Sequence, residues 1–296
     1  MTTPRPNRVD LHCHTARSDG VLEPLELYRQ LAAAATTLVA ITDHDTVAGL
    51  REIRAAGLGA SGSLDGPYIL AGVEINTTAD EGLPGADGLS RKARELHIIG
   101  LGIDPDDGAL ADALARQRDQ RILRREAILD KLAGMGRDVR TQMPSGAAID
   151  SAGRPHIARA LVDAGYASSV QDAFDRYLTV DGPGYVPRQG MGPREAIGTI
   201  HAAGGIAVLA HRSDAPDHPE LMGALIEVGL DGVEAYHQSF GEDEVDRMTR
   251  YADAHELLPS GGSDYHGDDD MSYATAQART HVPDSVGTRI LERLGR

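Results

Sequence analysis

The side chains that could do chemistry in this chain occur as spaced imidazoles and carboxylates. In Asp10-Leu11-His12-Cys13-His14 two histidines stand two positions apart. Alternate side chains of an extended segment share a face, so both rings converge on one point while Cys13 turns the other way. Ser263-Asp264-Tyr265-His266 repeats that logic with a carboxylate and an imidazole. His44 sits in Thr42-Asp43-His44-Asp45, between an apolar run and a helical pattern, where α/β proteins place their sites. Asp45 is read as the cap of the helix that follows. Glu74 ends the apolar run 69–73, where a buried carboxylate is costly unless it meets a cation. Asp19 in Ser18-Asp19-Gly20, His97 in Leu96-His97-Ile98-Ile99 and His211 after residues 206–210 complete the set. Alone, Asp19 reads as a turn residue, and His97 and His211 as satisfied core histidines. Together the nine supply six imidazoles and three carboxylates, a donor set for divalent cations. The single cysteine, Cys13, excludes a disulfide framework and a thiolate site. Imidazole-rich N/O ligation suits two or three ions of Mn²⁺, with Fe²⁺ or Zn²⁺ as alternatives, better than Mg²⁺ or Ca²⁺.

These residues need a scaffold that brings distant segments to one place. Residues 9–14, 38–42, 68–76 and 97–103 are short β-like runs separated by helical patterns, which predicts βα units and a parallel sheet. Leu25, Leu27, Leu31 and Ala35 follow Pro24 at helical spacing, with proline near the start, where its missing N–H is harmless. From Asp106 to about Pro187 the pattern becomes helical, with Leu110, Leu114, Ile122, Ile128, Leu129 and Leu132 in one stretch and residues 156–164 in another. Alternation resumes with a helix at 193–203 and strands at 205–210, 232–237 and 258–263. The expected organisation is a discontinuous barrel of residues 1–104 and 188–296 interrupted by a helical insertion of residues 105–187 that recognises substrate. Residues 83–90 are expected to form a loop from their Gly, Pro and Asp content.

Composition removes other classes. The net charge of −16 argues against a broad footprint on duplex DNA, which needs clustered Lys and Arg, and favours a small or end-bound substrate. No run approaches the ~20 apolar residues of a membrane span, and residues 1–8 lack the apolar stretch of a secretory signal. A cytoplasmic protein without an obligate protein partner is expected. Neither a phosphate-cradling G-x-x-x-x-G-K-[ST] loop nor a G-x-S-x-G nucleophile elbow is present. Amidohydrolase barrels bridge their metals with a carboxylated lysine, but Lys92 and Lys131 are poorly placed for it, which favours Glu74 as the bridge and ester over amide chemistry. Arginine forks match phosphate oxygens. Arg154 and Arg188, flanking the insertion, and His237, ending a strand, are the candidate substrate contacts, whereas Arg118, Arg121 and Arg125 are read as a solvated helix face.

Asp-Leu-His12-Cys-His14, Thr-Asp43-His44-Asp45, Gly-Val-Glu74 and Gly262-Ser-Asp264-Tyr-His266 resemble the motifs of the polymerase and histidinol phosphatase (PHP) family. The chain looks closest to its stand-alone members that act on 3′,5′-nucleotide bisphosphates or RNA 5′ ends. That resemblance implies a distorted (β/α)₇, TIM-like barrel with the metals at one end. It implies a first metal on His12, His14, Glu74 and Asp264, a second on Glu74, His97 and His211, and a third on Asp19, His44 and His266. The expected reaction is phosphate monoester hydrolysis of a small nucleotide or short RNA end, by attack of a hydroxide held between the cations. Histidinol phosphate or a cyclic phosphate are alternative substrates. Outside phosphoesterases, the competing classes are an amidohydrolase-type hydrolase and a non-catalytic metal-binding module.

Overall fold

Seven short apolar runs form the strands of the computed structural model, which describes residues 8–61, 66–79, 83–86, 89, 94–143, 152–180, 182–267 and 271–296. They are β1 (Val9–Cys13), β2 (Leu38–Ile41), β3 (Tyr68–Thr78), β4 (Glu95–Leu101), β5 (Ile206–Leu209), β6 (Gly232–His237) and β7 (Leu258–Gly262), joined in sequence order in one sheet. The strands are buried on both faces, which is why they read as continuous apolar runs. One face packs on the surrounding helices through Val39, Ile41, Ile69, Val73, Ile98 and Val233. The other forms a second cluster with Leu11, Ala40, Leu70, Ile99 and Val208, closed by Val286 and Ile290 of a C-terminal helix. Because side chains alternate along a strand, Glu74 shares the face of Leu70, and His97 that of Ile99.

The sheet curls until β1 meets β7. Asp264 N donates to His12 O at 2.8 Å and His14 N to Tyr265 O at 3.1 Å. The buried Asp10 carboxylate stitches the seam, accepting from Ser263 N at 2.9 Å, Ser263 Oγ at 2.7 Å and the Tyr273 hydroxyl at 2.9 Å. The result is a nearly closed, distorted TIM-like barrel.

The all-parallel sheet expected for the first hundred residues is corrected at one strand. β4 pairs antiparallel with both β3 and β5. Hydrophobic pattern reports which residues are buried, not chain direction, so the reversal is invisible in sequence. Its consequence is positional: His97 lies near the start of β4, opposite Asn76, and so shares a rim with the C-terminal ends of the parallel strands.

The helices follow from amphipathic spacing and from start signals. α1 (Pro24–Ala33) and α2 (Ala48–Ala55) bury Leu27, Leu31, Leu50 and Ile53 against the sheet. Val47 is the N-terminal flank of α2, so Asp45 is not its cap, contrary to expectation. α3 (Gly108–Gly134) begins with an Asp107 side-chain cap on Leu110 N. Its first half packs on the barrel through Leu110 and Leu114, and its second enters a separate cluster through Ile128, Leu129 and Leu132. α4 (Arg154–Asp163) and α5 (Val170–Ala173), which runs into a π turn (Phe174–Leu178), complete that cluster with Ile157, Leu161 and Leu178. α6 (Pro193–Ala202), α7 (Pro219–Glu227), α8 (Glu242–Ala254), α9 (Tyr273–Arg279) and α10 (Asp284–Arg293) finish the shell. Of the loop expected at 83–90, residues 83–85 form a bend and turn, while 87, 88 and 90 lie outside the described residues, as does Lys92. No described helix is long and apolar enough to cross a membrane.

Gly262 is where β7 comes closest to β1: a Cβ there would lie 2.4 Å from His12 N and 2.5 Å from His12 Cβ. Gly262→Ala is therefore expected to force the seam apart and cost about 1–3 kcal/mol, seen as a lowered melting temperature in metal-free protein. An unchanged melt would show that the closure is looser than this packing implies.

Candidate metal centre

All nine candidate donors meet at the rim where β1, β2, β5 and β7 end and β4 begins. Glu74, fully buried, is the hub. Its Oε2 lies 3.3 Å from His12 Nε2, 3.3 Å from His14 Nε2 and 2.9 Å from His44 Nδ1. Its Oε1 lies 2.8 Å from His97 Nδ1 and 3.2 Å from His211 Nε2, and those two nitrogens are 3.1 Å apart. Asp264 Oδ1 is 3.3 Å from His12 Nε2 and 3.2 Å from His14 Nε2, which are themselves 3.1 Å apart. On the other side Asp19 Oδ1 is 3.1 Å from His266 Nε2, and Asp19 Oδ2 is 3.6 Å from His44 Nε2. Three groups thus have the spacing to hold an ion: His12, His14 and Asp264; His44, Glu74 and His97; and His14, Asp19, His44 and His266.

These donors fit cations. Ligand atoms bound at about 2.1 Å in tetrahedral or octahedral geometry stand about 3.0–3.4 Å apart, which matches the separations in the first group, while those from Glu74 to His44 and His97 in the second, 2.9 and 2.8 Å, are slightly shorter. Glu74 Oε2 and Asp19 Oδ1 are buried with no hydrogen-bond partner among the described residues, an arrangement that is costly without a positive charge to face. The ring nitrogens agree. His12 Nδ1 lies 3.0 Å from Glu234 Oε1, which assigns a proton to Nδ1 and leaves Nε2, facing Glu74 and Asp264, as the atom that would take an ion. His14 Nδ1 reaches Ser18 Oγ at 3.4 Å, freeing its Nε2 in the same way.

Electrostatics point to the same demand. Burial opposes charge on Glu74, Asp264 and Asp19, yet the surrounding imidazoles hold all three carboxyls well below the usual range. Burial also opposes protonation of His266, but Asp19 and Asp264 pull it up to about 10. His97 goes the other way, pushed down to about 4 by burial, and so presents a neutral ring.

Two of the candidate donors adopt left-handed backbone: His211 at φ 35° and Asp264 at φ 47°. Non-glycine residues pay on the order of 1–3 kcal/mol for such conformations, which cluster at functional sites.

The remaining candidates are placed as follows. Arg154 pairs with Glu95 at 2.5 Å, and Arg188 with Asp45 at 3.4 Å; both line a cavity beside the donors. His237 sets Nδ1 2.7 Å from Ser239 Oγ and Nε2 3.3 Å from Asp264 Oδ2. The solvated face expected of Arg118, Arg121 and Arg125 is corrected. Arg118 donates to Asp45 O at 2.8 Å, Arg121 pairs with the Asp45 carboxylate, and Arg125 is buried. Helical spacing showed that these residues share one side, but not that the side faces the barrel. Lys131 is spent on Tyr185 O at 2.6 Å.

Sequence reasoning missed Glu234. It is fully buried on β6, engages His12 Nδ1, and accepts from the backbone His211 N at 2.7 Å, so one carboxylate holds the ring of His12 and the backbone that carries His211. Its signal was the one used for Glu74: an acid flanked by Val233 and Ala235 inside an apolar strand. Asp43 acts similarly behind His14, accepting from Thr15 N at 2.7 Å and Ser18 Oγ at 2.8 Å.

No family model matches the chain. Among characterised proteins it is 35% identical to a 3′,5′-nucleoside bisphosphate phosphatase from Chromobacterium violaceum, over 87% of this chain and 87% of that protein. It is 33% identical to a 5′-3′ exoribonuclease from Haemophilus influenzae, over 88% and 90% respectively. Among solved structures it resembles an amidohydrolase from Chromobacterium violaceum, solved with sulfate and no metal, at 31% identity and TM-score 0.77 over 97% of this chain and 96% of that one. It also resembles a metal-dependent phosphoesterase from Bifidobacterium adolescentis, at 28% identity and TM-score 0.74 over 99% and 100%. The barrel, the donor cluster and these relatives define a metal-dependent phosphoesterase. Within that class, the chain belongs to the PHP family.

Removing the carboxylate behind His12 and His211 should loosen ion binding without removing a donor. Glu234→Gln is expected to weaken Mn²⁺ affinity about 10–100-fold, measured by titration against a chelating dye. Wild-type affinity in the variant would exclude Glu234 from supporting the centre.

Proposed function

We propose that this protein hydrolyses phosphate monoesters of nucleotides, with 3′,5′-nucleotide bisphosphates or short RNA 5′ ends as substrates. The observation that carries this reading is a cavity of about 120 Å³ walled by Arg121, Arg124, Arg125, Arg154 and Arg188, which shares Asp19, His44 and His97 with the donor cluster. A group of cationic forks adjoining a cation site suits a ligand with more than one anionic group. The Nε atoms of Arg121 and Arg188 are buried without a hydrogen-bond partner among the described residues, so the protein itself does not spend all the donors of these two guanidiniums. The names of the relatives from Chromobacterium violaceum and Haemophilus influenzae support the same substrates.

The first ion is assigned to His12, His14, Glu74 and Asp264, the second to Glu74, His97 and His211, and the third to Asp19, His44 and His266, with Mn²⁺ the best match to so much imidazole. Bound there, divalent cations would neutralise phosphate oxygens and acidify an attacking water. The chain's own residues do the rest. Glu234 and Ser18 fix the tautomers of His12 and His14. Arg154 and Arg188 bind phosphate in the cavity, and His237, fixed by Ser239, presents its Nε2 beside Asp264 to the reacting phosphate. Phe174, Pro155 and Val170 line the more open cleft over the donors, where they shed water from the substrate. Residues 105–187 act as the recognition insertion and residues 1–104 and 188–296 as the metal-binding barrel. A cytoplasmic location fits nucleotide substrates.

The test is phosphate release from 3′,5′-adenosine bisphosphate, AMP, histidinol phosphate and a short 5′-phosphorylated RNA, using chelated protein reloaded with Mn²⁺. Preference for the bisphosphate or the RNA is expected, with activity lost on chelation and lowered about 1,000-fold or more in His14→Ala. A relative from Eggerthella lenta, 30% identical over 87% of this chain, is a phosphoribosyl 1,2-cyclic phosphate 1,2-diphosphodiesterase, so a cyclic phosphate belongs in the panel. Turnover of that substrate alone would replace the nucleotide reading, and inactivity on every ester would end it.

A further inference from the structure

Asp45 has no place among the ligands and does not cap its helix, yet it is fully buried and held in a left-handed conformation at φ 55°. Its amide donates to Glu74 O at 2.9 Å, and its Oδ1 accepts from Asn76 N at 3.1 Å. Asn76 Nδ2 in turn reaches His44 Nδ1 at 2.9 Å. That is the barrel side. From the insertion and its exit, Arg121 and Arg188 both converge on Asp45 Oδ2, and Arg118 donates to Asp45 O. Asp45 therefore joins the segment after β2, which carries His44, and β3, which carries Glu74 and Asn76, to two guanidiniums from chain segments 67 residues apart (188 − 121).

Without Asp45 this arrangement has no counterion where it needs one. Arg121, Arg124 and Arg188 crowd one wall, and Glu95 is already paired with Arg124 at 3.1 Å and Arg154 at 2.5 Å. Like charges gathered at a dry wall separate unless an anion holds them. Asp45 occupies the Nη2 atoms of Arg121 and Arg188; the Nε of each is buried without a hydrogen-bond partner among the described residues, and both side chains line the cavity.

We propose that Asp45 is a positioning residue for substrate, holding Arg121 and Arg188 in register with the metal centre so that they receive an anionic group of the ligand. The inference rests on the phosphoesterase reading for the identity of that ligand but not for the existence of the anion site. Asp45→Asn keeps the size and the acceptor for Asn76 N, but puts a neutral amide opposite two guanidiniums.

Kinetics of the Mn²⁺-loaded protein on 3′,5′-adenosine bisphosphate would be compared for wild type, Asp45→Asn, the Arg121→Ala/Arg188→Ala pair and the triple variant, with bound metal measured by mass spectrometry. KM is expected to rise about tenfold or more in Asp45→Asn, with kcat within about threefold and metal content unchanged. Added to the arginine pair, the same change should move KM less than about twofold, because its effect runs through those side chains. A merely structural role predicts equal losses in both backgrounds, and that result, or a loss confined to kcat or metal content, overturns the proposal. Calorimetry of sulfate binding to the metal-free proteins reads the same coupling without turnover. If wild type binds sulfate and Asp45→Asn binds it as tightly, or if wild type binds none, the proposal fails whatever the enzyme hydrolyses. Weaker sulfate binding in Asp45→Asn with no turnover of any ester would sustain the anion site while removing the functional reading.

Discussion

One carboxylate organises this molecule. Glu74 lies within 3.3 Å of five imidazoles carried by β1, β4 and the segments after β1, β2 and β5, and no solvent reaches it. In a medium that screens poorly, an ionised carboxylate so enclosed is tolerable only among positive charges. The barrel is shaped around that requirement: five strand ends must deliver donors to one point, and each must arrive with a lone pair facing inward. Stability and ion binding are thus opposed in the ion-free chain, which gathers groups that would otherwise seek water.

A ring of polar groups behind the donors makes this arrangement tolerable. Glu234 orients the ring of His12 and pins the backbone at His211, Asp43 supports the Thr15–Ser18 turn behind His14, and Asp10 locks β7 to β1 next to His12. Each is buried, and each accepts from at least two donors. The left-handed residues His211 and Asp264 belong to the same economy, because a ring or carboxylate aimed inward from a strand terminus requires the chain to turn sharply there.

Much of this was legible in sequence, and what was not had a physical cause. Strand positions followed from burial, and Val9, Leu38, Tyr68 and Gly232 start strands where the apolar runs begin. Glu74 and His97 could be read because a carboxylate or imidazole inside an apolar run needs a reason to be there, and His12, His14, Asp264 and His266 because their two-residue spacing puts each pair on one face. The argument from apolar surroundings also covered Glu234, between Val233 and Ala235, which was overlooked. The direction of β4, the partners of Asp45 and the burial of Arg121 lie beyond local pattern. They depend on which surfaces meet after folding, and a helix face rich in arginine has the same sequence whether it meets water or a buried acid.

The reversal of β4 also explains α3. Since β4 starts at the rim and ends at the opposite end of the barrel, the chain leaves it far from the chemistry. The 27 residues of α3 must climb back, about 40 Å at 1.5 Å per residue. Leu110 and Leu114 anchor the foot of that helix to the barrel, and Arg121, Arg124 and Arg125 project near its middle, at the height of the donors. The helix is in effect a ruler. Deleting or adding one residue between Leu114 and Arg121 would swing every arginine by 100° and shift it 1.5 Å. Evolution can therefore exchange the outward-facing side chains of α3, but it can alter the helix's length there only by abandoning the pocket it measures.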